Sequence, residues 1–334
     1  MSDSRQGAKN WVRPEIQALS AYHVPNPGDM VKLDAMENPY HWPADMVAEW
    51  QLLLAGVEVN RYPDPAARQL VERLRHNMAI AADQSVILGN GSDELIQIMA
   101  MALAAPGRCV MSVEPSFVMY RMIATFVGMD YHGVPLADDF SIDLDAMLAA
   151  IERHQPALVF IAYPNNPTGN LFDEAAIEAI IKATPGLVVV DEAYNAFAQA
   201  SFMNRLGEFD NLVVMRTVSK LGLAGLRLGL LAGPAEWVDE FNKVRLPYNI
   251  NVLTQLSTDF ALSHEAVLDE QTAAIRADRA VMDEALRAMP GLTVYPSSAN
   301  FILFRTPEAK ATPLFEALKQ RGVLVKNLSP VGGA

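Results

Sequence analysis

The stretch RTVSKLGLAGLRLG, residues 216–229, decides the fold and the chemistry that the sequence predicts. It follows an apolar run at residues 212–215 and concentrates hydroxyls, one lysine, small residues and Arg227 in a short turn. A lysine desolvated in such a turn has a lowered pKa and becomes a nucleophilic amine. The neighbouring hydroxyls and Arg227 would hold a phosphate group. The alternative is a solvated surface lysine in an ordinary turn.

Outward from this stretch, apolar runs of strand length alternate with amphipathic runs of helix length. This alternation predicts an α/β fold with a mainly parallel sheet covered by helices on both faces. Ligands bind such sheets at the carboxyl ends of the strands, which is where the polar motifs of this chain fall. The predicted strands are residues 86–88, 108–113, 157–162, 187–190, 212–215 and 226–231, and the predicted helices between them are residues 94–104 and 173–182.

The pattern changes near Pro247, where longer helical stretches begin. We expect an N-terminal arm (1–36) that contributes to a small domain, a large domain (37–245) and a small α+β domain (246–334) that is cut short. The elements predicted after Pro247 are helices at residues 252–262, 265–289 and 313–321, and strands at residues 292–295, 300–304 and 323–325.

The motif LGNGSDE, residues 88–94, lies between a predicted strand and a predicted helix. Its glycines allow a phosphate to approach the backbone, and the start of the helix supplies unpaired N–H groups and the positive end of a dipole. This favours a phosphate site near Ser92 and Asp93. A plain turn with Ser92 or Asp93 as the helix cap is the alternative.

The motif AYPNNPTG, residues 162–169, follows another predicted buried strand. Two prolines and a glycine fix a rigid turn. The turn presents Asn166, whose amide can donate to or accept from a substituent on a ligand ring. A loop without a binding role is the alternative.

The motif VVVDEAY, residues 188–194, ends a predicted buried strand with Asp191. A buried carboxylate is unfavourable unless it is paired, and a protonated pyridine nitrogen is a suitable partner. The alternatives are pairing with backbone N–H groups or an arginine. A nucleotide–metal site is disfavoured because the sequence has no G-x-x-x-x-G-K-[ST] motif.

The composition narrows the classes of function. The chain has 334 residues, 51% of them hydrophobic, and a formal net charge of −13, which disfavours nucleic acid as a partner. Its one cysteine, Cys109, excludes an intrachain disulfide. No metal site is expected, because the six histidines show no metal-binding spacing. We expect a cytoplasmic protein, since the N-terminus does not resemble a secretory signal and no apolar run reaches the roughly 20 residues of a membrane span.

The order and spacing of these motifs resemble those of the fold-type-I pyridoxal-phosphate aminotransferases over nearly the whole chain. Within that family the chain looks most similar to the histidinol-phosphate aminotransferases, through LDAMENPY (33–40), NRYPDP (60–65), residues 163–169 and residues 216–229. The resemblance implies pyridoxal 5′-phosphate as the cofactor, bound to Lys220 as a Schiff base. The residues that it implicates in cofactor binding are Tyr62, Ser92, Asp93, Phe117, Asn166, Asp191, Tyr194, Thr217, Ser219, Lys220 and Arg227.

The resemblance also implies a role for each of these residues. Lys220, Asp191 and Tyr194 would be catalytic: Lys220 would transfer a proton, Asp191 would keep the ring nitrogen protonated, and Tyr194 with Asn166 would contact the ring hydroxyl. Thr217, Ser219, Arg227 and the N–H groups near Ser92 and Asp93 would hold the phosphate. Phe117 stands where the family often has a ring-stacking tyrosine, and it lacks that residue's hydroxyl.

The implied reaction is transamination between histidinol phosphate and 2-oxoglutarate, which gives imidazole-acetol phosphate and glutamate in histidine biosynthesis. Tyr62 matches a tyrosine that reaches the neighbouring subunit's cofactor phosphate, which implies a homodimer. Lys326 stands where relatives often have an arginine, and the chain ends at Ala334 without the arginine that clamps the substrate anion. The alternatives are therefore another fold-type-I aminotransferase that acts on an aromatic or other amino acid, a decarboxylase acting on a phosphorylated amino acid, and a truncated non-catalytic chain that binds the cofactor.

Overall fold

The computed structural model describes residues 7–21, 24–307 and 310–329. In these ranges the backbone forms eleven strands, most of them near the middle of the chain. The strands are β1 Val31–Lys32, β2 Ser85–Asn90, β3 Cys109–Glu114, β4 Asp130–Pro135, β5 Leu158–Ala162, β6 Leu187–Asp191, β7 Leu212–Thr217, β8 Leu228–Gly233, β9 Thr293–Val294, β10 Phe304–Arg305 and β11 Val323–Leu324.

Twelve α-helices connect and cover these strands in the same three ranges. Several helices start at a side-chain cap, as α8 does at Asp173, whose carboxylate accepts a hydrogen bond from Ala175 N. Within residues 7–21, 24–307 and 310–329, none of the helices has the length and apolar composition of a membrane span. The helices are α1 Gly7–Trp11, α2 Pro14–Gln17, α3 Ala44–Ala55, α4 Arg68–Asn77, α5 Gly91–Leu103, α6 Met119–Val127, α7 Leu144–His154, α8 Glu174–Ala183, α9 Ala235–Val244, α10 Val252–Ser263, α11 Glu265–Arg287 and α12 Ala311–Gln320.

Seven of the described strands form one sheet in the order β2-β8-β7-β6-β5-β3-β4. The strands β4, β3, β5, β6 and β7 pair in parallel, whereas β8 lies antiparallel to both β7 and β2. The α/β fold with a mainly parallel sheet is thus confirmed. The antiparallel direction of β8 was not predicted, because an apolar run in the sequence does not show which way its strand runs.

Both faces of this sheet are buried. Along β6, Val188 and Val190 belong to one apolar cluster and Leu187 and Val189 to another. Alternate side chains of a strand point to opposite faces, so the two clusters are the cores on either side of the sheet. This double burial explains why the central strands are continuously apolar in sequence.

Two short sheets lie outside the main one. β1 pairs in parallel with β11, so the segment before residue 40 lies against the end of the described chain. β9 pairs with β10 in antiparallel fashion.

The predicted strand at residues 300–304 was wrong in extent, since only Phe304 and Arg305 pair with β9. Likewise, the strand predicted from residue 226 begins at Leu228, after a 3₁₀ turn at Ala224–Leu226. The domain limits at residues 36 and 245 stay a prediction.

Gly186 provides a test of the close contact between β5 and β6. A Cβ atom at this position would lie 2.3 Å from the carbonyl oxygen of Ala157, which is backbone and cannot rotate away. We expect Gly186→Ala to lower the free energy of unfolding by about 1–3 kcal/mol, as overpacking in a core does. The measurement is chemical denaturation followed by circular dichroism.

The matched control is Gly56→Ala at the end of α3, where a Cβ would meet only Leu53 O, at 3.7 Å. This variant should unfold close to the wild-type midpoint. Equal midpoints for Gly186→Ala and the wild type would contradict the prediction.

Candidate active site

The polar motifs meet at one edge of the main sheet. β2, β3, β5, β6 and β7 all point the same way, so their carboxyl ends lie at this edge. β8 runs the other way and begins there, directly after Arg227. The side chains predicted from the four motifs that follow β2, β5, β6 and β7 therefore lie in one region, as is usual for ligand sites on open α/β sheets.

Asp191 ends β6 and is 4% exposed. Its Oδ1 accepts a hydrogen bond from Ala193 N at 3.0 Å, and its Oδ2 accepts one from the hydroxyl of Tyr120 at 2.6 Å. Burial raises the pKa of this carboxyl to about 6. Among the ion pairs of the described residues, none involves Asp191. The carboxylate thus has hydrogen-bond partners but no cation, and a cationic ligand group would stabilise its charged form.

Lys220 lies in the turn after β7 and is partly buried. Its Nζ donates a hydrogen bond to the carbonyl oxygen of Ala35 at 2.9 Å and lies 5.7 Å from the centre of the Tyr194 ring. Burial lowers the pKa of its ammonium group to about 8. The neutral, nucleophilic fraction of this amine near neutral pH is therefore larger than that of an ordinary lysine, although most of it is still protonated.

Asn166 and Tyr194 are brought together from the ends of β5 and β6. The Asn166 amide donates a hydrogen bond to the Tyr194 hydroxyl at 3.0 Å. The neighbouring Asn165 is fully buried, and its side chain bonds to Ser116 Oγ at 2.9 Å and to Pro115 O at 3.0 Å. Asn165 thereby ties the turn that carries Asn166 to the turn that carries Phe117.

The turn between β2 and α5 lies very close to the side chain of Arg227. Gly91 has a φ of +75°, and a Cβ there would lie 2.6 Å from Nη2 of Arg227. The same guanidinium lies 3.4 Å from Oδ2 of Asp93, while Oδ1 of Asp93 is buried without a hydrogen-bond partner among the described residues. Asn90 is the N-cap residue of α5, so neither Ser92 nor Asp93 caps this helix.

The first turn of α5 also lies against the start of β8. A Cβ at Gly229 would lie 2.6 Å from Gly91 C and 2.7 Å from Ser92 N. Arg227, just before β8, adopts a φ of +49°. This left-handed conformation is unusual for a residue other than glycine, and it marks a position that the surrounding structure constrains.

Thr217 and Ser219 form a hydroxyl pair at the end of β7, and both are buried. Their hydroxyl oxygens are 2.8 Å apart, and Thr217 Oγ1 also accepts a hydrogen bond from Ser219 N at 3.1 Å. Glu192, next to Asp191, pairs instead with Arg216, whose Nη2 lies 2.8 Å from its carboxylate. The two adjacent acidic residues thus have separate partners.

Two residues that the sequence analysis singled out, Tyr62 and Lys326, are exposed. Tyr62 is 81% exposed and stacks on Tyr248, with ring centres 4.4 Å apart. Lys326 follows β11 and is exposed. Phe117 is partly buried, with its ring edge-on to that of Tyr120 at 5.5 Å.

Sequence reasoning missed three groups that shape the site. These are the Tyr120 hydroxyl on Asp191, the Ala35 carbonyl on Lys220, and Glu94, whose carboxylate accepts hydrogen bonds from Asn90 N and from Asn249 Nδ2. The position of Tyr120, three residues after Phe117, was a usable signal that it lies at the same edge. Nothing in the sequence indicated which way its hydroxyl points.

Comparisons with known proteins agree with this geometry. The family model for "Aminotransferase class I and II" matches residues 28–332. The chain belongs to this aminotransferase family. Members of the family use pyridoxal 5′-phosphate, so the predicted enzyme class and cofactor are confirmed.

The curated relatives cover most of the chain. The histidinol-phosphate aminotransferase 2 of Nitrosococcus oceani is 58% identical over 323 residues, which is 97% of this chain and 90% of the relative. The histidinol-phosphate aminotransferase 2 of Cupriavidus pinatubonensis is 54% identical, with 95% and 88% covered. The crystal structure of the Sinorhizobium meliloti histidinol-phosphate aminotransferase in complex with pyridoxal-5′-phosphate is 23% identical. It has a TM-score of 0.84 over 97% of this chain and 89% of that chain.

The residues at this edge of the aminotransferase fit its cofactor. A buried carboxylate without a cation suits a protonated ring nitrogen, and a desolvated lysine suits an aldehyde. The turn at Gly91 lies under the Arg227 guanidinium at the N-terminus of α5, where unpaired backbone N–H groups and a positive charge suit a phosphate.

The lowered pKa of Lys220 predicts a pH dependence. Only the neutral amine attacks an aldehyde, and with a pKa of about 8 the amine is mostly protonated below that pH and mostly neutral above it. The rate at which the cofactor-free protein captures pyridoxal phosphate should rise with pH and level off above about 8. Stopped-flow absorbance measures this rate.

Lys220→Ala is the control, and borohydride should trap no cofactor on it. A rate that keeps rising towards 10.5, the ordinary lysine value, would contradict the assignment of a desolvated amine.

Gly229→Ala tests the close contact between β8 and the turn at Gly91 and Ser92, which is the predicted phosphate site. The added methyl would push the backbone of Gly91 and Ser92 away from β8. Overpacking of this kind amounts to about 1–3 kcal/mol, so we expect the dissociation constant for pyridoxal phosphate to rise about tenfold or more. Fluorescence titration of the cofactor-free protein measures the constant.

Gly225→Ala in the same segment is the matched control, because a Cβ there meets nothing within 4 Å. Similar dissociation constants for the two variants would mean that this contact does not affect cofactor binding.

Proposed function

We propose that this aminotransferase transfers the amino group of histidinol phosphate to 2-oxoglutarate, giving imidazole-acetol phosphate and glutamate in histidine biosynthesis. The observation that carries the proposal is the identity of 58% and 54% to two histidinol-phosphate aminotransferases over at least 95% of the chain. The site supports it, because Asp191, Lys220 and the turn at Gly91 lie at one sheet edge.

The proposed roles follow from the contacts. Bound pyridoxal phosphate supplies an electron sink that acidifies the substrate carbon. Lys220 moves the proton from that carbon, since its lowered pKa suits a base near neutral pH. Asp191 would hold the ring nitrogen and keep it protonated. The Asn166–Tyr194 pair orients the ring by bonding to its hydroxyl.

The phosphate of the cofactor is assigned to groups around the start of α5. Backbone N–H groups near Ser92 and Asp93 and the guanidinium of Arg227 supply donors and positive charge. The hydroxyl pair Thr217 and Ser219 adds two more hydrogen-bonding groups. Phe117 is assigned to the ring face of the cofactor, where its apolar ring excludes water.

A homodimer is part of the proposal. Tyr62 is strongly exposed and stacks on Tyr248, so its hydroxyl is available to a second copy of the chain. In the dimer it would reach the neighbouring cofactor phosphate. The cytoplasmic location stays a prediction.

The other activities have less support. The decarboxylase and the aromatic aminotransferase are disfavoured by the names of the relatives that cover at least 95% of the chain. The non-catalytic alternative is disfavoured by the same names, since both relatives are named as aminotransferases.

Histidinol phosphate added alone to the cofactor-loaded enzyme tests the proposal. We expect the visible band of the cofactor bound to Lys220 to convert to that of its aminated form, because the first half of the reaction needs no second substrate. Subsequent addition of 2-oxoglutarate should restore the band and release glutamate.

Histidinol without its phosphate is the matched control, and it should react far more slowly if the site recognises the anion. A stable band with histidinol phosphate, together with conversion by an aromatic amino acid, would overturn the substrate assignment. Release of carbon dioxide from a phosphorylated amino acid would favour the decarboxylase.

A further inference from the structure

The Tyr120 side chain makes a contact with the site that the roles above do not use. Its hydroxyl donates to Oδ2 of Asp191 at 2.6 Å, while Ala193 N donates to Oδ1. Each carboxylate oxygen has two lone pairs, so the carboxylate can still accept a bond from a ring N–H. We propose that Tyr120 is a positioning residue that holds Asp191 as an ionised carboxylate facing the ring nitrogen of the cofactor. This inference rests on the role proposed for Asp191.

The position of the Tyr120 hydroxyl is fixed by packing. Tyr120 is in the first turn of α6 and has no exposed surface. Its ring stacks on Phe160 of β5, with ring centres 4.5 Å apart and the planes 4° from parallel. On another side it meets the ring of Phe117 edge-on at 5.5 Å. The hydroxyl therefore has little freedom to leave Asp191, and the same side chain supports the residue assigned to the ring face.

The hydrogen bond from Tyr120 matters because it changes the pKa of Asp191. Burial and the negative charges of Asp93 and Glu192 raise the pKa of Asp191, whereas the hydrogen bonds from Tyr120 and Ala193 lower it. Tyr120 itself keeps its proton, because burial and the nearby Asp191 raise its pKa well above the ordinary value; Tyr131 and Tyr194 act in the same direction.

The hydrogen bond decides where a shared proton lies. A carboxylate that accepts a bond from Tyr120 is a weaker base, so the proton between Asp191 and the ring stays on the ring nitrogen. Without the hydroxyl, the carboxyl becomes more basic and draws the proton towards itself. A ring without that proton is a weaker electron sink, which links Tyr120 to the reactivity of the cofactor.

The experiment uses the holoenzyme loaded with pyridoxal phosphate labelled with ¹⁵N in the ring. The wild type should show the chemical shift of a protonated ring nitrogen, and Asp191→Asn that of an unprotonated one. Tyr120→Phe should shift the signal from the first value towards the second. In the double variant with Asp191→Asn, the loss of Tyr120 should add nothing, because the two residues act through one link.

Tyr163→Phe is the matched control. Its hydroxyl is also in the core, but it donates to Glu174 at 3.3 Å, so the ring nitrogen should remain as in the wild type. Phe160→Leu is a second variant, which removes the stacked ring and keeps the Tyr120 hydroxyl. It should move the signal in the same direction by a smaller amount, and it tests the inference independently if Tyr120→Phe folds poorly.

The experiment distinguishes a wrong role for Asp191 from a wrong role for Tyr120. If Asp191→Asn leaves the ring nitrogen protonated, the proposed role of Asp191 is wrong. If Asp191→Asn removes the proton but Tyr120→Phe and Phe160→Leu keep the wild-type shift, only the role of Tyr120 is overturned.

Discussion

The parallel pairing of β5, β6 and β7 is the constraint on which the site depends. Register pairs Ala162 with Asp191 and Asp191 with Met215, so the loops after these three strands start side by side. Parallel strands require crossover connections and cover on both faces, which the helices provide. Asn166 and Lys220 are far apart in sequence, but the paired strands that precede them hold them close to one another.

The burial of the central strands also shifts the pKa values of the groups in the site. Because the central strands are buried on both faces, the groups that end them lose water, which raises the pKa of Asp191 and lowers that of Lys220. Both shifts favour the neutral form of each group. A ligand that brings a cation to Asp191 and an aldehyde to Lys220 offsets the unfavourable burial of both groups. The buried groups therefore favour binding of such a ligand.

The close contacts at the sheet edge have a related origin. Gly91 and Gly229 allow α5 to begin directly against β8, and Arg227 adopts its left-handed conformation between them. The helix start, with its unpaired N–H groups, is thus held beside a guanidinium and the hydroxyls of Thr217 and Ser219. This arrangement would suit an anion locally, although the formal net charge of the chain is −13.

The sequence by itself determined the fold class and the candidate chemistry, because apolar runs, glycine turns and the residue after each strand are local patterns. It placed Lys220 and Asn166 after strands and Asp191 at the end of one, and the structure has them there. Only the tertiary structure decided that β8 is antiparallel, that β1 pairs with β11, and that Tyr120 and Ala35 are the partners of Asp191 and Lys220. These contacts join residues up to almost 300 positions apart, and no local pattern encodes the partner of a buried polar group.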